Sequence, residues 1–400
     1  MPFSGVSPRR GYAVKIAFVY DSIYPYVIGG GEKGFWEVAT RLAQRGGEVY
    51  LVGMKHWEGP AELEREGVKI RGICRAVPMY DDRGNRRLIE ACYFGWHVFL
   101  HLLKAEYDLI NCASFPYFSC LAASAAATLR RKEVVITWFE VLGKAYWDEH
   151  MGRAGMWAFA VEKAVSRCTR WHVAISNFTR DRAISELGMS PSNVVTIPFG
   201  IDYVGLRRVC GVAKEAQILY AGRLASHKRL DLLIHAFARL KHRHSGYRLK
   251  FIGSGPDRCR LREIVDSTGL EQRVLFETNL KERELYEEIS RSKLFVLPSE
   301  REGQGLVVIE AMALGTPVIA HDGRYSAVGS IISSGSNGVL VRSADEMVEA
   351  MDRLLSDDTL VEKLIRGGYE CAAKYDWDEA VVPALERVFS KILSHAKHSA

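Results

Sequence analysis

The stretch from Pro298 to Pro317 has the sequence PSEREGQGLVVIEAMALGTP, and it decides how the whole chain is interpreted. It follows Lys293–Leu297, an apolar run typical of a buried strand, and it leads through two glycines into Leu306–Leu314, whose nearly continuous apolar sequence predicts a buried helix. A strand, a glycine-containing turn and a helix in this order form one unit of a parallel sheet. Ligands of such sheets bind outside the carboxyl ends of the strands. We therefore expect a ligand site at this turn.

The backbone of the turn suits a phosphorylated ligand. Gly303 and Gly305 carry no Cβ, so the chain can approach a ligand closely there. The helix that begins at Leu306 directs its unpaired amides, including that of Val307, and the positive end of its dipole toward the same place. These four residues are predicted to bind the phosphates of a ligand.

Two carboxylates flank the same turn. Glu302 precedes the glycines, and Glu310 is the single acid in an otherwise apolar helix. A buried carboxylate is costly unless it is hydrogen-bonded, and hydroxyl groups of a sugar and of a ribose would satisfy both acids. The residues alone leave an alternative open, in which Glu302 is solvated and Glu310 bonds a neighbouring backbone group or an arginine.

The alternation of strands and helices extends along most of the chain. It begins with the strand Val14–Tyr20, loses its regularity after Val194–Ile197 and resumes at Gln217–Ala221. This pattern predicts an α/β fold with two doubly wound, Rossmann-like domains facing across a cleft, which is the default ligand site. We place the domains at residues 1–205 and 206–375, and by analogy between folds we expect a helix in 376–400 to pack back on the first domain.

Composition and charge exclude several classes of protein. The net charge of +6 over 400 residues is too small for a nucleic-acid-binding protein. The eight cysteines form no Cys-x-x-Cys pair, which argues against a zinc site and favours a reducing compartment. Residues 1–15 lack the apolar core of a signal peptide, and no apolar run is long enough to span a membrane. We expect a cytoplasmic protein.

A resemblance to a known family rests on the opening stretch. The pattern Ser-x-x-Glu-Gly-x-Gly-Leu-x-x-x-Glu-Ala-Met-Ala-x-Gly-x-Pro-Val-Ile over residues 299–319 resembles the Glu-x7-Glu signature of the retaining glycosyltransferases of family four, also called group 1, which have the GT-B fold. The resemblance implies that the second domain binds a nucleotide-sugar donor and that the first domain carries the acceptor side. In this sequence the two acids of the signature are Glu302 and Glu310.

A second match supports the first. Tyr220–Ile234 resembles the Gly-Arg-Leu-x-x-x-Lys-Gly block of the same family. Arg223 and Lys228 follow a predicted strand and would neutralise a diphosphate, most strongly as it departs. In isolation these residues would be interpreted as solvated surface cations. Arg229 stands where the family usually has glycine, which affects the local turn.

Three further matches imply donor contacts. Phe251–Pro256 resembles the family's strand followed by Gly-x-Gly-Pro, although a tight turn alone would also explain Gly253. Asn279 and Leu280 fall where relatives hold the nucleotide base through backbone contacts, while the glycine usual near Glu277 is absent. The first-domain glycine loop, which in the family lies against the donor phosphates and the acceptor, corresponds here to Gly30 and Gly31.

One position departs from the family pattern. The segment Thr137–Trp147 resembles a microbial subgroup with Thr-Trp-His-Glu-Val-x-Gly, but Phe139 occupies the place of the histidine. A phenyl ring cannot form the hydrogen bond that an imidazole forms with the transferred sugar. Either Glu140 or Trp138 supplies a polar contact instead, or catalysis is weakened.

The resemblance implies a reaction without a metal or a cofactor. An acceptor hydroxyl would attack the anomeric carbon from the side on which the diphosphate leaves, and the leaving phosphate would take the proton. Arg223, Lys228 and the helix N-terminus would stabilise the departing charge. No Asp-x-Asp motif is present, and Asp81-Asp82 is remote from the motifs. The donor would be a UDP-sugar or GDP-mannose, and the acceptor a lipid-linked compound or a saccharide.

One stretch of the sequence could contact a membrane. Arg83, Arg86 and Arg87 precede the aromatic stretch Leu88–Leu103. This stretch either rests on the inner face of an anionic membrane or packs as an ordinary core helix. Arg130–Lys132 is a second basic cluster.

The sequence also leaves rival functions open. These are a catalytically weak or silent nucleotide-sugar-binding subunit, a nucleotide-sugar epimerase and a phosphorylase using free phosphate.

Overall fold

The computed structural model describes residues 14–79, 86–240 and 242–399. The chain forms two compact units: unit 1 runs to Phe199 and resumes at Trp377, and unit 2 is Gly200–Asp376. The boundary lies earlier than the predicted 205, because Ile201 already belongs to the apolar core of unit 2. Asp376, rather than residue 375, is the last residue of that unit.

An eight-stranded sheet forms the centre of unit 1, in the order β3-β4-β2-β1-β5-β6-β7-β8. Only β3 is antiparallel to its neighbour. Both faces of a parallel sheet are covered, so its central strands are almost continuously apolar. This apolar pattern is why the sequence predicted them correctly. The strands are β1 (Lys15–Val19), β2 (Glu48–Lys55), β3 (Glu62–Arg65), β4 (Val68–Arg75), β5 (Leu109–Ala113), β6 (Glu133–Trp138), β7 (Trp171–Ala174) and β8 (Val194–Thr196).

Helices cover this sheet. α1 is amphipathic and buries Phe35, Trp36 and Leu42 against the sheet. α2 and α3 pack closely against each other, since a Cβ at Gly95 of α2 would lie 3.0 Å from the Phe118 carbonyl oxygen. The helices before the boundary are α1 (Gly30–Gln44), α2 (Leu88–Lys104), α3 (Tyr117–Arg130), α4 (Gly143–Met151), α5 (Gly155–Val165) and α6 (Asn177–Ser185).

Unit 2 has a six-stranded, fully parallel sheet in the order β11-β10-β9-β12-β14-β16, and β13 pairs separately with β15. Its strands are β9 (Glu215–Ala221), β10 (Arg248–Ile252), β11 (Val274–Glu277), β12 (Ser292–Leu297), β13 (Arg301–Glu302), β14 (Val318–His321), β15 (Tyr325–Ser326) and β16 (Val339–Val341). Its helices are α7 (Tyr203–Val209), α8 (Leu230–Leu240), α9 (Arg258–Ser267), α10 (Glu282–Arg291), α11 (Leu306–Ala313), α12 (Ala344–Ser356) and α13 (Asp358–Ala372).

The chain returns to unit 1 at its last helix. A single π-helical turn, Trp377–Val381, leads into α14 (Val382–Ser399). Arg45 of α1 forms ion pairs with Asp378 at 3.2 Å and with Glu386 at 3.4 Å. Among the described residues, none of the helices has both the length and the hydropathy that crossing a bilayer requires.

Candidate functional site

The strongest interaction among the predicted site residues joins Lys228 and Glu302. The Lys228 Nζ atom lies 2.6 Å from Glu302 Oε1 and donates a hydrogen bond to it. Only 16% of the lysine side chain and 13% of the glutamate side chain is exposed. The pair is therefore shielded enough for its charges to interact strongly.

Short local structures hold this pair in place. Glu302 ends the two-residue strand β13, which pairs with β15 after the end of β12. Lys228 ends a single 3-10 turn, Ser226–Lys228, in the loop after β9. The Glu300 amide donates to the His227 carbonyl oxygen at 2.9 Å and so connects the two loops. Since β9 and β12 are neighbours in the sheet, their carboxyl ends bring both motifs together.

Positive charge concentrates at this edge. Burial, together with the neighbouring charges of Lys228, Arg301 and Arg223, lowers the pKa of His227 to about 3. His227 is thus neutral, and its surroundings repel a proton. The prediction did not include Arg301, although it adjoins Glu302 in the sequence. The predicted cation Arg223 is exposed.

The glycine turn leads into α11 as the sequence predicted. Gly305 has φ +85°, a left-handed conformation that favours glycine, and a Cβ there would lie 2.8 Å from Val328 Cγ1. α11 begins at Leu306, so the amides of Leu306 and Val307 belong to its first turn, where a helix has no intrahelical acceptors. Gly303 is half-buried between Glu302 and this turn.

Glu310 has a different environment from the predicted one. It is half-buried, and its Oε1 accepts a hydrogen bond from the Tyr286 hydroxyl at 3.1 Å. The same hydroxyl lies 2.5 Å from Glu282 Oε1. The Glu310 carboxylate therefore has a hydrogen-bond partner within the protein. This corrects the expectation, drawn from its burial, that ligand hydroxyls would have to satisfy it. Burial and the two carboxylates raise the pKa of Tyr286, so it remains a hydrogen-bond donor.

The predicted base-binding segment directly precedes α10. Asn279 is exposed and has φ +62°, while Leu280 is half-buried against the core of unit 2. α10 also carries Tyr286, so one helix connects Asn279 and Leu280 with the hydrogen bond between Tyr286 and Glu310. No signal in the charged sequence of α10 identified Tyr286.

Gly253 has a structural reason to be glycine. A Cβ at Gly253 would collide with the carbonyl oxygen of Gly222, and one at Gly255 with that of Leu224. The Leu224 amide donates to the Ser254 carbonyl oxygen at 2.8 Å, so the loops after β9 and β10 pack directly on each other. A tight turn, which the sequence left as an alternative explanation of Gly253, therefore accounts for both glycines without a ligand.

In unit 1, Phe139 packs against the glycine loop. A Cβ at Gly31 would lie 2.7 Å from Phe139 Cε2, whereas one at Gly30 would meet nothing within 4 Å. The Phe139 ring also lies 5.4 Å from the rings of Tyr20 and Phe35. The phenyl ring that replaces the family's histidine is thus part of an aromatic cluster.

Trp138 does not belong with the sugar-side residues. It is fully buried, and its indole donates to His172 Nδ1 at 3.1 Å. His172 Nε2 in turn lies 3.0 Å from the Thr169 carbonyl oxygen. A side chain enclosed in this way cannot reach a sugar, so the prediction for Trp138 is wrong. Glu140 remains half-exposed.

A buried acid that the prediction missed fixes the loop after β6. Glu162 of α5 is fully buried and accepts hydrogen bonds from four donors. Those donors are the amides of Leu142 (2.8 Å) and Gly143 (3.0 Å), the Trp147 indole (2.8 Å) and the Tyr117 hydroxyl (2.9 Å). Burial raises the pKa of Glu162, and these hydrogen bonds oppose the shift. The signal was present, since Glu162 is the single acid in the apolar sequence of α5.

Glu32 is a second acid that the prediction did not assign. It lies in the first turn of α1, and it is hydrogen-bonded to Tyr20. Burial raises the pKa of Glu32, whereas its hydrogen bonds oppose that effect. Because Tyr20 also contacts Phe139, this carboxyl group adjoins the aromatic cluster.

Within residues 14–79, 86–240 and 242–399, no group of three or more His, Cys, Asp and Glu side chains is arranged to hold a metal ion. A cavity of about 550 Å³ in unit 1 is lined by Glu133 and Thr169, at the amino ends of β6 and β7. The predicted residues of unit 1 lie at the opposite, carboxyl ends of the strands. Asp81-Asp82 and Arg83 fall outside the described residues.

Two protein families match the chain. The family described as "Glycosyl transferases group 1" matches residues 208–370, and the family described as "Glycosyltransferase Family 4" matches residues 28–203. A curated relative, the alpha-D-kanosaminyltransferase of Streptomyces kanamyceticus, is 33% identical over 178 residues, which are 44% of this chain and 46% of the relative. The chain thus spans about half the length of this relative.

Solved structures share the architecture. The sucrose-phosphate synthase of Thermosynechococcus elongatus superposes with a TM-score of 0.77 at 20% identity, over 96% of this chain and all of that one. The Anabaena protein HepE, in complex with UDP and glucose, superposes with a TM-score of 0.72 at 19% identity over 96% of this chain. The prediction of two Rossmann-like α/β domains is confirmed by these likenesses.

Proposed function

The chain belongs to the group 1 glycosyltransferases of family four and has their GT-B fold, and on that premise we propose that it transfers a hexose from a nucleotide-diphosphate donor to an acceptor, with retention of the anomeric configuration. The donor is a UDP-sugar or GDP-mannose. The complex of HepE with UDP and glucose supports the first of these. The acceptor is a lipid-linked compound or a saccharide, reached from the cytoplasm.

The observation that carries the proposal is the pairing of Lys228 with Glu302 at 2.6 Å beside Arg223, Arg301 and the first turn of α11. Cations and free helix amides at one sheet edge bind a diphosphate. A carboxylate beside them accepts hydrogen bonds from sugar hydroxyls. Charge of both signs within one shielded site fits a phosphorylated sugar better than a bare phosphate.

The remaining donor contacts follow from unit 2. We assign Glu310, which Tyr286 orients, to the ribose hydroxyls, and the backbone at Asn279 and Leu280 to the base. The acceptor side is assigned to unit 1, with Gly30, Gly31, Phe139 and Glu140 at the carboxyl edge of its sheet.

The reaction needs one bond broken and one formed. The bond from the anomeric carbon to the diphosphate oxygen breaks, and the acceptor oxygen bonds to that carbon on the same face. The departing phosphate oxygen takes the acceptor's hydroxyl proton. Arg223, Lys228 and the α11 amides stabilise the charge that develops on the leaving group, which is electrostatic preorganisation rather than covalent catalysis.

We propose that neither a metal nor a cofactor takes part in the reaction. Turnover of the purified protein should be unchanged in excess EDTA. Loss of turnover in EDTA, restored by Mg²⁺ or Mn²⁺, would contradict this part of the proposal.

The proposal is tested first through donor binding. Thermal unfolding should be measured with UDP, GDP, ADP and inorganic phosphate, because a ligand at about 100 times its Kd stabilises a protein by about 2.7 kcal/mol. One nucleoside diphosphate should stabilise the wild type, and the variant Glu310→Gln should respond less. If none of them shifts the unfolding transition, the chain does not bind a nucleotide-diphosphate donor and the proposal fails.

One observation favours a second candidate function, a nucleotide-sugar-binding subunit with weak or no turnover. Phe139 packs in an aromatic cluster where the family's histidine would contact the sugar. Mass spectrometry of acceptor extracts incubated with a binding-competent donor distinguishes the two, since a transferase adds the mass of one hexose residue. Binding without any such product would favour the subunit. An epimerase would instead convert the donor alone, and a phosphorylase would require free phosphate.

A further inference from the structure

Helix α2 presents an apolar face to solvent. The residues of this face are Leu88, Ile89, Cys92, Trp96, Phe99 and Leu100. Ile89 is 84% exposed and Trp96 is 59% exposed, and the Trp96 ring stacks on Phe99 with 6.0 Å between centroids. Helical spacing places the six on one side of the helix, and no charged residue interrupts them.

The fold does not need this face. The opposite side of α2 already buries Phe94, Val98 and Leu102 in the core of unit 1. The start of the helix is fixed by Arg86, which pairs with the buried Asp21 and lies 3.0 Å from the buried Glu90. The interpretation of Leu88–Leu103 as a core helix therefore explains only half of its surface. Arg86 is engaged inside the protein, so it is not a surface cation.

Cations flank both ends of the apolar face. Arg87 is exposed directly before α2, and Lys104 is exposed at its end. Arg130 donates to the Leu103 carbonyl oxygen at 3.0 Å, which places Arg130–Lys132 at the same end. Acids are present there as well, since Glu106 is exposed and Asp108 lies 3.8 Å from Lys132. The five cations named here thus exceed the two acids by three charges.

We propose that this face of α2 docks on the boundary between headgroups and acyl chains of an anionic membrane. An uninterrupted apolar surface with a tryptophan suits that boundary, because it offers no polar group that the lipid would leave unpaired. Cations at both ends of the face would meet anionic headgroups, and each contributes modestly. Apolar contact supplies most of the affinity, so binding should weaken with salt but persist.

Docking on a membrane would bring the enzyme of the proposed function close to a lipid-linked acceptor. The choice of acceptor rests on the proposed function. The docking itself is measured without a donor, so the two can fail separately. Vesicle binding by a chain without nucleotide affinity would preserve this inference and defeat the proposed function.

Co-sedimentation with phosphatidylcholine vesicles containing phosphatidylglycerol tests the proposal. The double variant Ile89→Glu/Trp96→Glu should reduce the bound fraction at least about tenfold, because each glutamate would have to enter the headgroup boundary. The matched control is Val204→Glu/Leu275→Glu, which places the same charges at two exposed apolar positions of unit 2. This control should bind vesicles like the wild type.

A second measurement uses the unmodified protein. Cys92 lies on the apolar face and Cys259 on α9 of unit 2, and both are exposed free thiols. Vesicles should slow the alkylation of Cys92 by a water-soluble maleimide, read by peptide mass spectrometry, and leave Cys259 unchanged. A Cys92 rate that vesicles leave unchanged, as they leave that of Cys259, would overturn the proposal.

Other occupants of the face would give other results. A second copy of the chain would appear as a dimer in light scattering that the double variant dissociates, with no effect of vesicles on Cys92. That result would overturn the membrane proposal. Vesicle binding that the double variant retains in full would overturn it as well.

Discussion

Lys228 and Glu302 neutralise each other, so under the proposed function a donor would exchange one interaction for another when it binds. Its diphosphate would attract the lysine, and its sugar hydroxyls would replace the lysine as donors to the carboxylate. The 2.6 Å contact keeps both side chains in position beforehand. Preorganised charge of this kind contributes to the rate because it needs no rearrangement during the reaction.

Replacing Lys228 by methionine should therefore lower kcat/KM by about 100-fold, since one stabilising charge is lost from the transition state. The matched control is Lys250→Met, which removes a lysine with 12% side-chain exposure that pairs with Glu277 and Glu288. Both variants should lose stability in urea denaturation. Only Lys228→Met should lose most of its turnover, and equal losses of turnover would argue against a catalytic role.

Arg229 has a conformation that disfavours any residue except glycine. Arg229 has a φ of +49° after the 3-10 turn, and α8 begins directly behind it at Leu230. Arg229→Gly should raise the free energy of unfolding by about 1 kcal/mol, because a left-handed conformation costs a residue with a Cβ about that much. Arg239→Gly, inside α8, should lower it by about 1 kcal/mol. A loss in both variants would contradict the backbone argument.

At the residue scale, the sequence predicted that Lys228 and Glu302 lie at the same sheet edge because each stands in a motif after a strand, but it did not predict that they form an ion pair. It did not predict Tyr286, since α10 is a charged helix whose tyrosine gives no sign of facing Glu310. It also assigned Trp138 to the sugar. In a strand buried on both faces, sequence position does not reveal whether a side chain at the strand end turns outward or, as here, inward toward His172.

At the scale of the element, the loop after β6 depends on α5. Four donors converge on the Glu162 carboxylate, and two of them are the backbone amides of Leu142, at the end of the loop, and of Gly143, at the start of α4. Glu162→Gln presents an amide to these donors and leaves some unpaired. It should lower the free energy of unfolding by about 2–4 kcal/mol. Glu149→Gln, at an exposed position of α4, should change it by less than about 0.5 kcal/mol. A negligible effect of Glu162→Gln would mean that these hydrogen bonds do not hold the loop.

The contact between β6 and β7 should make stability depend on pH. Trp138 can only donate, so His172 Nδ1 accepts and the proton resides on Nε2. Burial lowers the pKa of His172 from 6.5 to about 4. A lowered histidine pKa contributes stability above the ordinary pKa, and this contribution is lost as the pH falls from 6.5 toward about 4.

The variant His172→Gln keeps an acceptor for the indole and cannot titrate. Between about pH 7 and about pH 5 the wild type should lose about 2 kcal/mol more stability than this variant. Urea denaturation at both pH values measures the difference. His101 and His227, whose pKa values are also lowered by burial, titrate in both proteins and cancel in the comparison. Equal losses would show that folding does not lower the pKa of His172.

Sequence patterns predicted the elements that are apolar on both faces and the edge strand β8, but missed the charged edge strand β3. β3 is exposed along most of its length and contains three charged residues in Glu62–Arg65, so it resembles a loop. Its pairing with β4 depends on the whole sheet. The length of α2 was predicted, but the inward engagement of Arg86 was not, because Asp21 is distant in the sequence.

At the scale of the whole molecule, unit 2 is continuous in the sequence and unit 1 is not. The Phe199 and Trp377 rings lie 6.2 Å apart, so the two segments of unit 1 meet where unit 2 departs and returns. α14 contributes Phe389, which is fully buried and lies 6.3 Å from the Phe18 ring. Unit 1 thus has no complete core without its last segment.

Separate expression of the parts should reveal this difference. Residues 200–376 should fold alone and show a cooperative thermal transition, because their core is complete. Residues 1–199 should aggregate, and joining them through a short glycine–serine linker to 377–400 should restore solubility. Circular dichroism and size-exclusion chromatography measure both outcomes. A folded, soluble 1–199 fragment would contradict the proposed dependence on α14.

This connectivity also sets an order of events on the ribosome. The surface of β1 and α1 that α14 covers must wait until all of residues 200–376 have been translated, which takes on the order of ten seconds or more at typical elongation rates. During that interval unit 2 can finish folding, while nascent unit 1 exposes an incomplete core. Chaperone capture during synthesis should therefore concentrate on the first 199 residues. If translation stopped before α14 was made, the released chain would contain a folded or partly folded unit 2 and a unit 1 whose core is incomplete.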